Sequence, residues 1–172
     1  ESQARTLLEQ RSVQFPDGPH VVNWLFHLGD FPTLLTQPIA ATLPKPHAIL
    51  FDAFSPAKNP AMWSLPLFTH LFRLLDPHRS CALPTYSRST IMRVTLLLAG
   101  FFVGVGHATG QKEETTIAAN TLDLIAEPLN QRWLERARRS HSAEPLHEAS
   151  YKIGPLTPES WEQLRAHPQF RP

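Results

Sequence analysis

The sequence predicts an α/β domain, a doubly wound and mostly parallel sheet that ends in an antiparallel strand pair and is followed by a helical C-terminal tail. Three observations carry this. Short apolar runs alternate with segments of helical apolar spacing as far as Asn120, the pattern of strand–helix–strand units. The last two apolar runs, residues 101–108 and Thr115–Ala119, are too close together for a helical crossover and must pair antiparallel. Beyond Asn120 the composition changes to an Arg-rich helical segment, a proline-bearing irregular stretch and one more short helix. The predicted division is therefore residues 1–120 and 121–172.

Each element has its own warrant. Residues 4–10 carry a short helical pattern, and Phe15-Pro16-Asp17-Gly18-Pro19 is a strong turn. Residues 21–28 read as a strand ending at Gly29-Asp30. Pro32 suits the first position of a helix over about residues 33–42, which Pro38 weakens. Ala48-Ile49-Leu50-Phe51 is the expected buried parallel strand, opening into a loop of Asp, Ser, Asn and two prolines. Leu65, Phe68, Leu71, Phe72 and Leu75 recur at helical spacing until Asp76-Pro77. Residues 81–85 form a short strand despite Pro84. Ser87 or Ser89 can cap the helix whose apolar face uses Ile91, Val94, Leu97 and Leu98, with Gly100 as its stop. In the tail, residues 128–139 read as a helix, and Thr157 before Pro158 starts the last one.

Composition narrows the class of protein. The 172 residues, 42% hydrophobic and 18% charged, fit one globular domain with a real core, and 17 prolines call for many loops. A formal charge of +1 supplies no global attraction for nucleic acid, so any RNA contact needs a local patch. The single cysteine, Cys81, excludes an internal disulfide and multi-cysteine metal sites, and it reads as a small core residue. The apolar stretch 94–106 is broken by Gly100, Gly104 and Gly106 and is shorter than the roughly 20 residues a bilayer requires. No signal-peptide core follows Glu1, and a cytoplasmic location is expected. The histidines show no metal-ligand spacing, and no nucleophile elbow or phosphate loop is present; no metal is expected.

The segment from Asp52 to Trp63, Asp-Ala-Phe-Ser-Pro-Ala-Lys-Asn-Pro-Ala-Met-Trp, stands where open α/β sheets bind ligands, beyond the carboxyl end of a strand. It resembles the signature of the methyltransferases that form 5-methylaminomethyl-2-thiouridine in tRNA, the methyltransferase half of the bifunctional MnmC type and its stand-alone relatives. His27-Leu28-Gly29-Asp30-Phe31, Thr85-Tyr86-Ser87 and Gly110-Gln111-Lys112-Glu113 fit the same pattern in order, so the likeness spans about residues 21–120.

The resemblance implies a class I methyltransferase sheet, Rossmann-like, with S-adenosyl-L-methionine as cofactor and tRNA as partner. Its flavin oxidoreductase half has no counterpart here, since the tail holds only Gly154 and no dinucleotide turn. A carboxylate at the sheet edge could hydrogen-bond the attacking amine, hold its departing proton and balance a cationic sulfonium, and Asp52 is the candidate. Phe54 could stack on cofactor or base, and Asp30 with Phe31 matches by position the residues beside the adenine. Ser55, Pro56, Lys58 and Asn59 shape a substrate loop, Trp63 could close the pocket, Tyr86 could contact the base, and Lys112 could touch RNA. Most of these also have structural explanations: a helix cap for Asp30, core packing for Phe54 and Trp63, solvation for the lysines. Arg132, Arg136, Arg138 and Arg139 form a local basic patch around Trp133, or with Glu135 a solvated pair network.

The Gly-rich turn and the acidic ribose residue of class I methyltransferases are not found in this sequence. It therefore reads as the C-terminal part of a methyltransferase domain that lacks the N-terminal strands, with weak or no cofactor binding expected of this polypeptide alone. Two alternatives stay open: a non-catalytic RNA-binding or assembly module that keeps the fold, and a nucleotide-binding α/β oxidoreductase. The oligomeric state is not legible.

Overall fold

The computed structural model describes residues 2–110 and 113–171. Helix α1 (Ser2–Gln10) leads through Arg11, in the left-handed region at φ 63°, into a hairpin of β1 (Ser12–Asp17) and β2 (His20–Leu25). Gly18, at φ 58°, supplies the conformation that the two-residue connection between Asp17 and His20 demands. Phe15 and Trp24 meet edge to face at 5.1 Å across the hairpin, but no residue of α1, β1 or β2 is buried. The expected strand 21–28 is thus a hairpin arm ending at Leu25, paired with a first arm that Pro16 and its polar neighbours disguise.

The helix expected over residues 33–42 is two short helices, α2 (Phe31–Thr36) and α3 (Pro38–Thr42), with Gln37 as the last cap of one and the first of the other. Pro38 cannot donate to the preceding turn, so the first helix ends and a second starts on it.

The expected strand 48–51 contracts to one parallel bridge, Ala48 to Ala82, made by Ile49 N to Ala82 O (2.8 Å) and Ala82 N to His47 O (3.0 Å). Leu50 then turns outward, 85% exposed, while Phe51 tucks under Trp63 and Phe68 at ring distances of 5.2 and 5.1 Å. Burying Phe51 takes the chain out of the pairing line, which is why the apolar run does not continue as a strand.

Next come α4 (Leu65–Leu74), β3 (Ala82–Thr85), α5 (Thr90–Leu98), β4 (Phe102–Gly106) and β5 (Thr115–Ala119). Ser64 caps α4 through Leu67 N. The sheet order is β3-β5-β4, with β5 antiparallel to both neighbours, so the close pair β4–β5 pairs as its short connection requires. Residues 47–49 extend the β3 edge, and residues 127–129 cover β4 through Val105 N to Glu127 O and Leu129 N to Val103 O. Gly104 permits that approach, because a Cβ there would lie 2.5 Å from the Glu127 carbonyl oxygen. Phe68, Leu83, Val94, Leu96, Phe101 and Val103 fill the core between α4, α5 and the sheet, and Cys81 is buried with them.

The tail docks on this core. Helix α6 (Gln131–Arg138) starts at Asn130, which caps Trp133 N, and α7 (Pro158–Arg165) starts at Thr157, which caps Ser160 N. Glu144 accepts hydrogen bonds from Thr157 N, Ser160 Oγ and His147 Nε2, each at 2.8 Å, and fixes the start of α7. Gln169 bonds both backbone groups of Val103 and the carbonyl of Leu129, a side chain standing in for a strand partner. No helix is long and apolar enough to cross a membrane among the described residues.

Candidate active site

At the carboxyl ends of β3 and β4, and the amino end of β5, lies a cleft of about 740 Å³. Asp52, Tyr86, His107, Glu113, Thr116 and Glu127 are among its lining residues, set in an apolar frame that includes Phe51, Val105 and Leu124. Three carboxylates and no lysine or arginine among the described lining residues favour a cationic or amine-bearing ligand.

The local sequence explains how Asp52 comes to stand there. The bridge at Ala48 aligns the chain with β3, and Phe51 anchors it immediately before Asp52. Beyond it, Lys58 N and Asn59 N both donate to Ser55 O, at 2.8 and 2.9 Å, closing a turn that Pro60 converts into the short 3-10 helix Pro60–Trp63. Trp63 is buried, and its indole Nε1 donates to the carbonyl of Phe54. The tryptophan therefore locks the loop from beneath, while Asp52 stays exposed and accepts no hydrogen bond from another described residue.

Of the sequence-predicted site residues, Asp52 and Tyr86 share the cleft. Phe54 (81% exposed), Ser55, Pro56, Lys58 and Asn59 belong to the loop beside it. Asp30 and Phe31 lie elsewhere. Asp30 caps α2, accepting from Thr33 Oγ1 at 2.5 Å and Thr33 N at 3.1 Å, and these bonds hold its carboxyl below the usual carboxylate range. Phe31 lines a separate apolar hollow of about 240 Å³ with Leu35, Ile49 and Leu71. Arg132, Arg136 and Arg138 are exposed on α6 and Arg139 at its C-cap; the Arg138 guanidinium lies 4.8 Å over Trp161, and Arg139 Nε donates to Glu135 O. No ion pair links Glu135 to these arginines among the described residues, so the pair network is not formed there. Lys112 lies outside the described residues, as does Gln111.

Sequence reasoning missed His107, Glu127 and Arg93. His107 follows the end of β4 and Glu127 comes from the segment that covers β4, so both could be found only by knowing the register. Arg93 sits in α5 among residues that are all buried from Ile91 to Leu97, and a charged residue inside so apolar a run is a signal that could have been used.

A small sheet packed against helices, with an acidic, partly apolar cleft beyond its strand ends, makes this an α/β protein with a candidate ligand site. The family model described as S-adenosyl-L-methionine-dependent methyltransferase matches residues 9–121, and the chain belongs to that family. The tRNA 5-methylaminomethyl-2-thiouridine biosynthesis bifunctional protein MnmC of Methylibium petroleiphilum is 36% identical over 107 residues, 62% of this chain and 16% of that protein. The protein of the same name from Aeromonas hydrophila is 43% identical over 63 residues, 37% of this chain and 9% of that protein. The crystal structure of MNMC2 from Aquifex aeolicus superposes with a TM-score of 0.62 at 24% identity, over 92% of this chain and 47% of that one, and so shares the fold. The chain thus spans a small part of the length of these bifunctional relatives and about half of the solved one. S-adenosyl-L-methionine is the family's methyl donor.

Proposed function

We propose that the cleft is a methyl-transfer site acting on the aminomethyl group of a modified wobble uridine in tRNA. The observation that carries this is the place of Asp52: an exposed carboxylate on the cleft that accepts no hydrogen bond from another described residue, on a loop anchored from below by Trp63. The names of the relatives, which concern 5-methylaminomethyl-2-thiouridine in tRNA, supply the substrate class.

The donor set in the cleft fits the reacting end of the cofactor. Carboxylates and apolar walls suit a sulfonium, which when bound supplies an electrophilic methyl group. The chain's own residues do the rest. Asp52 accepts the amine N–H, turns the nitrogen lone pair toward the cofactor side of the cleft and takes the proton that leaves as nitrogen gains its carbon. Tyr86 offers a ring for the uracil face, and Phe51, Val105 and Leu124 exclude water. The exposed arginines of α6 offer phosphate contacts for the RNA backbone.

A second reading, a non-catalytic RNA-binding or assembly module, draws support from Asp30, whose carboxylate is engaged by Thr33, and from Phe31, which lines the other hollow. The two separate with methyl-labelled S-adenosylmethionine and undermodified tRNA. Label in tRNA that disappears with Asp52→Asn supports the enzyme; tRNA binding without any label in the wild-type protein supports the module.

A further inference from the structure

We propose that Arg93 is a positioning residue of the cleft, holding its floor strand in the geometry that the reacting groups require. The inference rests on the cleft being the methyl-transfer site. The Arg93 side chain is 2% exposed, and its guanidinium contacts go to consecutive residues at the amino end of β5. Nε donates to Thr116 Oγ1 at 2.9 Å, one terminal nitrogen donates to Thr115 O at 2.9 Å, and that nitrogen lies 3.4 Å from Glu114 Oε1. Thr115 and Thr116 both line the cleft.

The chain of bonds continues to the opposite wall. Thr115 Oγ1 donates to the His107 carbonyl at 2.9 Å, where β4 ends beside the start of β5. Gly106 lets these two backbones close up, since a Cβ there would sit 2.4 Å from Thr115 Oγ1. One guanidinium on a helix behind the sheet thereby fixes two floor residues and, through them, the wall carrying His107.

Stability alone does not account for an arginine here. Burying a guanidinium carries a desolvation penalty, and its pKa is pushed down by burial even though Glu114 opposes the shift. An apolar side chain of similar length would fill the same space without that penalty. What it would lack is the forked pair of donors that ties Thr115 and Thr116 in place. A planar group with fixed donor directions suits Thr115, which lies just past Thr116, the last residue of β5 that pairs with β3.

The test uses Arg93→Met and Arg93→Lys, with Thr116→Val removing the acceptor instead. In Arg93→Met, amide exchange is expected to rise about tenfold or more at Thr115, Thr116 and residues 105–109, with α4 unchanged. Turnover on undermodified tRNA should fall at least about tenfold with KM changed much less, Arg93→Lys should recover part of it, and Thr116→Val combined with Arg93→Met should be less than additive. Exchange that stays at wild-type values, or rises evenly across the molecule with a matching fall in melting temperature and turnover, overturns the proposal. Should Arg93→Met fail to fold, Arg93→Lys and Thr116→Val give the same two readouts. If the wild-type protein transfers no methyl group, the proposed function fails by itself, and the exchange pattern still decides whether Arg93 orders the cleft.

Discussion

Two carboxylates of this molecule, Asp52 and Glu144, occupy opposite conditions. Glu144 receives hydrogen bonds from His147, Thr157 and Ser160, and although burial works against it, those bonds hold its carboxyl below the ordinary range. Asp52 has no such donors among the described residues and faces a cleft. The clasp inside the tail thus uses up its carboxylate, whereas Asp52 accepts no hydrogen bond from another described residue. A carboxylate saturated by its own fold serves the fold, and one left open at a strand end is available to a ligand.

The comparison can be broken first at its functional pole. Asp52→Asn should lower methyl transfer by about a hundredfold or more, as expected for loss of a proton acceptor, while leaving the melting temperature at the wild-type value. Both quantities come from a filter assay and a thermal melt, and a large fall in melting temperature would move Asp52 into the structural class. Next in size is Gly104→Ala. Its Cβ would lie 2.3 Å from Ile125 Cγ2 and 2.5 Å from the Glu127 carbonyl, and such overpacking should cost about 3 kcal/mol in a urea melt.

Glu144→Ala probes the clasp directly. Leaving Thr157 N and Ser160 Oγ without their acceptor should cost about 2 kcal/mol, and limited proteolysis should cut residues 144–157 sooner while the cleft end stays protected.

The smallest effect is a pH dependence at the same end. His167 is buried between Phe102 and Phe170, and burial together with Arg171 pushes its pKa down to about 4. Since the folded value lies below the unfolded one, its contribution is complete above about pH 6.5 and is lost as pH falls toward 4. At pH 5.5 the loss is on the order of 1 kcal/mol. His167→Asn, which keeps an acceptor for Gln169 N, should flatten that slope in melts between pH 7 and 5.

Much of this contrast was legible in the chain itself. The loop from Asp52 to Trp63 was readable because its prolines and its aspartate after an apolar run leave few conformations open. Thr157-Pro158 announced α7 for the same local reason, and the brief gap between the last two strands required antiparallel pairing. What escaped depended on partners distant in sequence. Residues 48–51 look like a buried strand until Phe51 finds Trp63 and Phe68, and residues 21–25 pair with a hairpin arm that Pro16 conceals. Arg93 stands in an apolar run whose partners on β5 no spacing could name, and the bond from Thr33 by which Asp30 caps α2 shows only in the folded chain.

The most direct measurement is photo-crosslinking of methyl-labelled S-adenosylmethionine to the protein, followed by peptide mapping. Label on peptides carrying Asp52 or Tyr86 is the predicted result. Label recovered only from the hollow around Phe31 or from α6 would contradict the assignment of the cleft.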